Sequence, residues 1–328
     1  MGSPCPCGHH GHNPSGYFPQ NGPAPLKMQL INRIFIENIK LMKVPSFSIS
    51  DVSSTLLITL YARARESLSE DPIIKDPKAV EMIEIIKKHI VGSDNPIHKK
   101  ILKDKYNPKL AVTMSLRSRR FDLYVTDFLS KYPEGTVINL GCGLDTRFYR
   151  IDNGTVIWYD IDFPEVIELR KRFMEENSRH VFIGNSILSP EWIAKVKTGG
   201  PYLILAEGLL MYLTEAVVRE LFSSFQRELS SAEIVCEVTN SFWVDKMNSA
   251  WLKWKFKRQL GMTGGAVFSF GVPDSRYFES WNPKYVFLDE WTYFDDHERK
   301  LGWFNLFSSI GVLRKAQWTV HYRIGNSR

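Results

Sequence analysis

The segment from Thr136 to Asp162 constrains the fold of this chain more than any other. It reads TVINLGCGLDTRFYRIDNGTVIWYDID. Val137 to Leu140 is a short apolar run with β-branched residues, which predicts a buried strand rather than a helix. The run leads into Gly141 and Gly143, and glycines here allow a tight turn and let a ligand approach the backbone closely. The segment therefore predicts a strand followed by a ligand-binding turn.

A second predicted strand, Thr155 to Tyr159, ends in the acidic residue Asp160, which lies 19 residues after Gly141. In nucleotide-binding βαβ units, an acid at about this distance accepts hydrogen bonds from the ribose hydroxyls. The glycine turn and the acid together predict a nucleotide site with Asp160 as its ribose ligand. The structural alternative is that Asp160 only caps the end of its strand.

Downstream of this unit, predicted helices and strands alternate. The predicted strands are His180 to Ile183, Tyr202 to Ala206 and Glu233 to Val238, with further candidates at Tyr285 to Leu288 and Ala316 to Tyr322. The predicted helices are Phe163 to Glu176 and Thr214 to Leu229. This alternation predicts an α/β fold with a Rossmann-like, doubly wound and mostly parallel sheet, whose ligands lie beyond the carboxyl ends of the strands. Glu207 follows one such strand and becomes a second candidate site residue.

About a hundred residues with helical patterns precede the first strand. The predicted helices are Leu26 to Lys43, Ser53 to Leu68, Pro77 to Ile90 and Leu110 to Ser130. We expect an N-terminal helical cap region at residues 26–133 and a Rossmann-like domain at residues 134–328. Within that domain, residues 241–283 are aromatic, basic and then glycine-rich, a composition that suits a helical lid insertion.

Composition excludes several classes of protein. The chain has 44% hydrophobic and 24% charged residues, no apolar run of the roughly 18 residues that a membrane span needs, and no signal-peptide core. We therefore expect a cytoplasmic protein with no membrane partner. The net charge is +6, but the basic residues are dispersed, which favours a solvated basic face over a nucleic-acid site. Attraction of an acidic partner or substrate is the alternative.

The N-terminal 25 residues are rich in Gly, Pro, Asn and His and have little to bury, so this tail is expected to be disordered. Thiols and imidazoles crowd into it, and such groups are the usual zinc ligands. With no scaffold to hold them, we predict no metal site. The potential ligands are Cys5, Cys7, His9, His10 and His12.

Three ordered segments resemble the leucine carboxyl methyltransferase family. They are NLGCGLDTRFYR at residues 139–150, YDIDFPEV at residues 159–166 and AEGLLMYL at residues 206–213. The resemblance also covers residues 59–79 and 116–122, so it runs from about residue 50 to the C-terminus. This family includes bacterial and archaeal O-methyltransferases similar to the tetracenomycin enzyme. The resemblance implies a methyltransferase fold with S-adenosylmethionine as its cofactor.

The resemblance also implies roles for single residues. Gly141 and Gly143 match the turn that approaches the methionine moiety, and Asp160 matches the ribose-binding acid. Glu207 matches an acid that lines the cofactor site. Arg117 matches an arginine that pairs with the cofactor carboxylate, where a planar guanidinium suits two oxygens.

Alternatives and one departure accompany these roles. Glu207 is alternatively a buried partner of Arg147 or Arg150, and Arg117 is alternatively a surface residue. The family usually carries an acid after the third strand, near the adenine. Here the chain has Gly184, Asn185, Ser186 and Ile187. We expect Ser186 or Asn185 to substitute for that acid, with Ser186 and Ile187 as the candidate cofactor contacts.

The implied reaction is methyl transfer to oxygen. The enzyme must hold the acceptor behind the methyl group at near-attack distance. A carboxylate acceptor is already ionised at neutral pH, whereas a phenol benefits from a general base. We expect a small-molecule carboxylate or phenol as acceptor, with Tyr212 and Arg147 as candidates to orient it.

Three other functions stay open on the sequence alone. A protein C-terminal carboxylate is the alternative acceptor, and a non-catalytic partner-binding protein with this fold is a second possibility. A nicotinamide-dependent oxidoreductase would use the same βαβ unit. Against it, Thr146 stands where a third glycine or an alanine packs the helix on the strand.

Overall fold

The computed structural model describes residues 54–105, 107–196, 200–229, 231–247 and 268–325. The predicted disordered tail and the helix predicted for Leu26 to Lys43 lie outside these ranges. So does the central part of the predicted lid insertion, at residues 248–267.

Four described helices precede the sheet. Three of them begin with the same local signal, an Asp or Asn whose side chain accepts a hydrogen bond from the first turn, followed by a proline. This arrangement satisfies free amides at the helix start, and proline fits there because its missing amide is not needed. The helices are α1 (Ser54–Ser67), α2 (Pro77–His89), α3 (Pro96–Leu102) and α4 (Pro108–Lys131). Helix α3 was not predicted from the sequence.

The sheet has seven strands in the order β3-β2-β1-β4-β5-β7-β6. Strands β1 to β5 are parallel, and β7 runs antiparallel to both β5 and β6. The strands are β1 (Thr136–Leu140), β2 (Ile157–Asp162), β3 (His180–Gly184), β4 (Tyr202–Ala206), β5 (Ser231–Thr239), β6 (Tyr285–Trp291) and β7 (Gln317–Gly325). The expected Rossmann-like, mostly parallel sheet is therefore confirmed.

The connecting helices are mostly short. The helix predicted for Phe163 to Glu176 ends at Arg170. The helix predicted for Thr214 to Leu229 begins at Glu215, and the side chain of Thr214 makes no capping hydrogen bond to it. The described helices of this region are α5 (Phe148–Ile151), α6 (Pro164–Arg170), α7 (Glu191–Lys195), α8 (Glu215–Glu228), α9 (Ser241–Met247) and α10 (Gly311–Arg314). Single 3₁₀ segments cover Leu210–Tyr212, Tyr277–Ser280 and Arg299–Ser309.

The N-terminal helices share a core with the glycine turn. Leu57 and Leu60 of α1 are fully buried in one apolar cluster with Cys142 and Leu144 of the loop after β1. All the described residues, from Ser54 onward, belong to one compact unit. The division into a cap region and a Rossmann-like domain at residues 133 and 134 stays a prediction. In the described residues, no helix combines the length and the apolar character that crossing a membrane requires.

Because α1 packs on the glycine loop, its core residues should support the whole unit. We expect Leu57→Ala to lower the free energy of unfolding by about 2–5 kcal/mol, since the truncation leaves a cavity. The matched control is Leu68→Ala, at a position that is 69% exposed, which should change it little. Urea unfolding measures both. Equal stabilities for the two variants would contradict this account of the core.

Candidate functional site

The loop after β1 wraps around the end of β2. The amides of Gly141 and Cys142 donate to the Ile161 carbonyl at 2.8 and 3.2 Å. Both glycines of the turn are left-handed, with φ of +62° at Gly141 and +50° at Gly143. A Cβ at Gly143 would lie 2.7 Å from the side chain of Leu56. Only glycine fits this backbone without strain.

Asp160 does not lie at the end of its strand, and this corrects the predicted boundary. Strand β2 continues two residues further, to Asp162. The Asp160 side chain is 1% exposed and is surrounded by donors from four side chains. They are Asn139 at 2.9 Å, Trp158 at 3.0 Å, His180 at 2.7 Å and Arg170. A carboxylate so enclosed has no lone pair to offer a ribose.

Asp162, not singled out from the sequence, occupies the strand end instead. Its carboxylate accepts hydrogen bonds from the amides of Gly143 and Phe163, both at 2.8 Å. The side chain is only half-buried, and burial raises its pKa above the ordinary value of 3.8. A carboxylate that faces the glycine turn and remains accessible can accept hydrogen bonds from a ligand.

Glu207 lies directly after β4 and pairs with two arginines. Its Oε1 accepts from Nε of Arg117 and its Oε2 from Nη2 of Arg147, each at 2.7 Å. Burial opposes ionisation of Glu207, but the two guanidinium charges outweigh it and lower the pKa. The structure thus shows the pairing of Glu207 with Arg147 that the sequence analysis gave as the alternative, and it adds Arg117 to the pair.

Arg147 is not placed to orient an acceptor. It is 1% exposed, and its three nitrogens bind Asp122, Asp145 and Glu207. Asp145 also accepts from the Arg147 amide at 3.0 Å. Because it is buried and each of its three nitrogens binds a carboxylate within the protein, Arg147 organises the loop and is not placed to contact an acceptor.

Arg117 binds a second carboxylate that the sequence analysis missed. Its Nη1 donates to Glu237 of β5 at 2.9 Å, and the other oxygen of Glu237 accepts from the Tyr293 hydroxyl at 2.7 Å. No described residue accepts a hydrogen bond from Nη2 of Arg117. The guanidinium also lies beside Gly208, which has a φ of +63°. A Cβ added at Gly208 would lie 3.7 Å from Nη1 of Arg117. An acid inside an otherwise apolar strand was the available signal for Glu237.

The loop after β3 completes this edge of the sheet. The Asn185 amide donates to the Asp162 carbonyl at 2.9 Å, so the two strand ends are adjacent. Ser186 uses its hydroxyl to accept from the Leu188 amide at 3.3 Å, and the Ile187 carbonyl accepts from Trp192 at 2.9 Å. Ile187 is buried and Ser186 is half-buried. The predicted adenine-contacting residues therefore lie next to Asp162.

Tyr212 ends the 3₁₀ segment after β4 and is 36% exposed. Its ring stacks on Phe268, with centroids 5.5 Å apart. Burial of the hydroxyl raises its pKa, the charge of Glu237 raises it further, and that of Arg117 lowers it. The Tyr212 hydroxyl is therefore a neutral hydrogen-bond donor at neutral pH. Among the described residues, no group of three or more potential ligands forms a metal site.

Comparison with known proteins identifies the family of this chain. The sequence model of the leucine carboxyl methyltransferase family matches residues 56–226. The chain belongs to this family. The tetracenomycin polyketide synthesis O-methyltransferase TcmP of Streptomyces glaucescens is 32% identical over 252 residues, which cover 75% of this chain and 85% of that protein.

Two further comparisons agree. The S-adenosyl-L-methionine-dependent methyltransferase dpfgK of Gibberella zeae is 26% identical over 295 residues, covering 85% of this chain and 94% of that protein. A solved structure from Thermobifida fusca, assigned as a methyltransferase, superposes with a TM-score of 0.51 at 12% identity and covers 84% of this chain and 95% of its own. That structure supports the fold alone.

The chain is accordingly an S-adenosylmethionine-dependent methyltransferase, and the oxidoreductase alternative falls away. The residues fit this cofactor. Left-handed glycines shape the turn at Gly141 and Gly143, and at Gly208 the nearest atoms would lie 3.7 Å from an added Cβ. A half-buried acid, Asp162, stands at the adjacent strand end, and Arg117 keeps one nitrogen without a described partner.

The left-handed turn at Gly143 should be required for cofactor binding. We expect Gly143→Ala to weaken S-adenosylmethionine binding by about tenfold or more, since the added Cβ strains the backbone and displaces Leu56. Gly154→Ala is the matched control, because Gly154 also has a positive φ of +85° but nothing within 4 Å. It should lose about 1–2 kcal/mol of stability from backbone strain and retain binding. Calorimetric titration measures the affinities, and similar losses in both variants would refute the steric argument.

Proposed function

We propose that this protein is an O-methyltransferase that forms the methyl ester of a small-molecule carboxylate. The observation that carries the proposal is Tyr212, a partly exposed tyrosine whose pKa is raised by burial and by the charge of Glu237 and lowered by the charge of Arg117, so that its hydroxyl is a neutral donor. A carboxylate accepts hydrogen bonds and donates none, so a hydroxyl donor suits it. The negative charge of Glu237 is paired with Arg117. The relative from tetracenomycin polyketide synthesis, an O-methyltransferase by name, supports oxygen as the acceptor and a small molecule rather than a protein terminus.

The cofactor would be held along the carboxyl ends of β1 to β4. Asp162 would accept the ribose hydroxyls in place of Asp160, whose oxygens are already occupied. Gly141 and Gly143 would face the methionine portion. The free nitrogen of Arg117 would bind its carboxylate, with Glu207 fixing the arginine. The adenine would lie against Ser186 and Ile187.

When bound, S-adenosylmethionine supplies an electrophilic methyl group on a sulfonium. The protein then has to position the acceptor oxygen in line with that methyl and exclude water. Tyr212 would donate to one oxygen of the acceptor carboxylate and leave the other to face the methyl group. No proton has to be removed, because such a carboxylate is ionised at neutral pH.

A phenolic acceptor is the alternative, and it would need a proton acceptor. The two carboxylates beside Arg117, Glu207 and Glu237, are both hydrogen-bonded to its guanidinium. For Glu207 these charges lower the pKa below its ordinary value, which makes it a weaker base. The charge pairing therefore favours the carboxylate over the phenol.

Substitution of the two acids of β2 should affect recognition of the ribose differently. In Asp162→Asn we expect affinity for S-adenosylhomocysteine to fall about tenfold or more, because hydrogen bonds to a charged group are lost. The same variant should no longer distinguish this ligand from its 2′-deoxy analogue. Asp160→Asn should keep that distinction even if its affinity falls. Loss of the distinction in Asp160→Asn alone would return the ribose role to Asp160.

The acceptor class can be read from the product. Incubation with methyl-labelled S-adenosylmethionine and a pool of aromatic carboxylic acids and phenols should give a base-labile labelled ester. Tyr212→Phe, which loses only the hydroxyl, should raise the acceptor KM about tenfold by removing one hydrogen bond and leave cofactor affinity unchanged. A base-stable ether as the labelled product would contradict ester formation.

A further inference from the structure

Three consecutive carbonyls of the glycine loop are held by buried arginines. Nη1 of Arg170 donates to the carbonyls of Gly143 and Asp145, both at 2.9 Å. Nη2 of Arg63 donates to the intervening carbonyl of Leu144 at 2.8 Å. The two arginines are 0% and 4% exposed. We call these contacts the carbonyl clamp.

Each arginine of the clamp is fixed by its own buried carboxylate. Arg170, in α6, pairs with Asp160 and lies with its guanidinium 5.0 Å from the ring centre of Phe182. Arg63, in α1, pairs with Asp76 at 3.0 Å. Burial opposes ionisation of both acids, and the guanidinium charges outweigh it and lower both pKa values. The arginines are therefore charged and cannot turn freely.

The partners of Asp76 extend the clamp into the helical region. Asp76 caps α2 by accepting from the Ala79 amide at 3.0 Å, and it accepts from the Thr146 hydroxyl at 2.6 Å. It thus joins a helix start, Arg63 and the residue that follows the clamped carbonyls. The placement of α1 and α2 is coupled to the shape of the loop.

The opposite side of this loop faces the cofactor site. The Gly143 amide donates to Asp162 while the Gly143 carbonyl accepts from Arg170. A buried carbonyl without a partner costs about 1–3 kcal/mol, so an unclamped loop would turn its carbonyls outward to water. Such a turn would move the Gly143 amide away from Asp162.

We propose that Arg170 and Arg63 are positioning residues for methyl transfer, which hold the glycine loop in its cofactor-binding shape before the cofactor arrives. The inference rests on the proposed cofactor site. It gives Asp160 a role as the anchor of Arg170, and it makes the N-terminal helices part of the binding site through Arg63.

The test uses calorimetric titration of S-adenosylmethionine into the wild type, Arg170→Lys and Arg63→Lys. Lysine keeps the charge but has no planar fork to span two carbonyls and a carboxylate. We expect each variant to weaken binding about tenfold or more, because a binding loop that is not preformed adds an ordering cost. Val218→Ala, a core truncation in α8 at a fully buried position, is the control. It should lose stability and keep its affinity.

The outcomes separate two failures. If the wild type does not bind S-adenosylmethionine, the proposed site is wrong. If it binds and a folded Arg170→Lys binds equally well, the positioning role is wrong. Hydrogen exchange on the ligand-free wild type tests the clamp without any variant. The amides of Gly143 and Asp145 should exchange at least about 100-fold more slowly than in an unstructured peptide, and unprotected amides would overturn the proposal.

Discussion

The structure depends on the neutralisation of arginines that are buried at one edge of the sheet. Arg147 alone contacts carboxylates from α4, the glycine loop and the end of β4. Arg150 shares one of these acids, Asp122, and also reaches Asp76. Removing one member of a buried pair costs roughly 3–5 kcal/mol, because it leaves a charge without compensation. The network therefore locks the elements around the site to one another.

Much of the fold could be predicted from sequence periodicity. The sequence predicts strand β4 at its observed bounds and β1 within one residue. Short apolar runs between turn residues are typical of buried strands and too short for most helices. The βαβ unit and the mostly parallel sheet followed from the alternation of elements. Helix α3 was missed because its seven residues are too few to display a period.

The site was predicted less completely, for two physical reasons. Asp160 and Asp162 are two residues apart, so both point to the same face of β2, and periodicity cannot say which lies at the strand end. The roles of Arg147 and Glu237 depend on partners from distant elements. Glu237 meets Arg117, which lies 120 residues earlier in the chain, and no local pattern records such a contact.

The antiparallel end of the sheet has a consequence for the order of synthesis. Strand β6 pairs only with β7 among the described strands, and β7 separates it from β5. During synthesis, β1 to β5 can therefore pair with one another before β7 has been made, whereas β6 has no neighbouring strand in the sheet until β7 is present. Tyr293 follows β6 and hydrogen-bonds Glu237 of β5, so this contact joins the antiparallel end of the sheet to its parallel part. A chain that lacked β7 would leave β6 without the strand that joins it to β5.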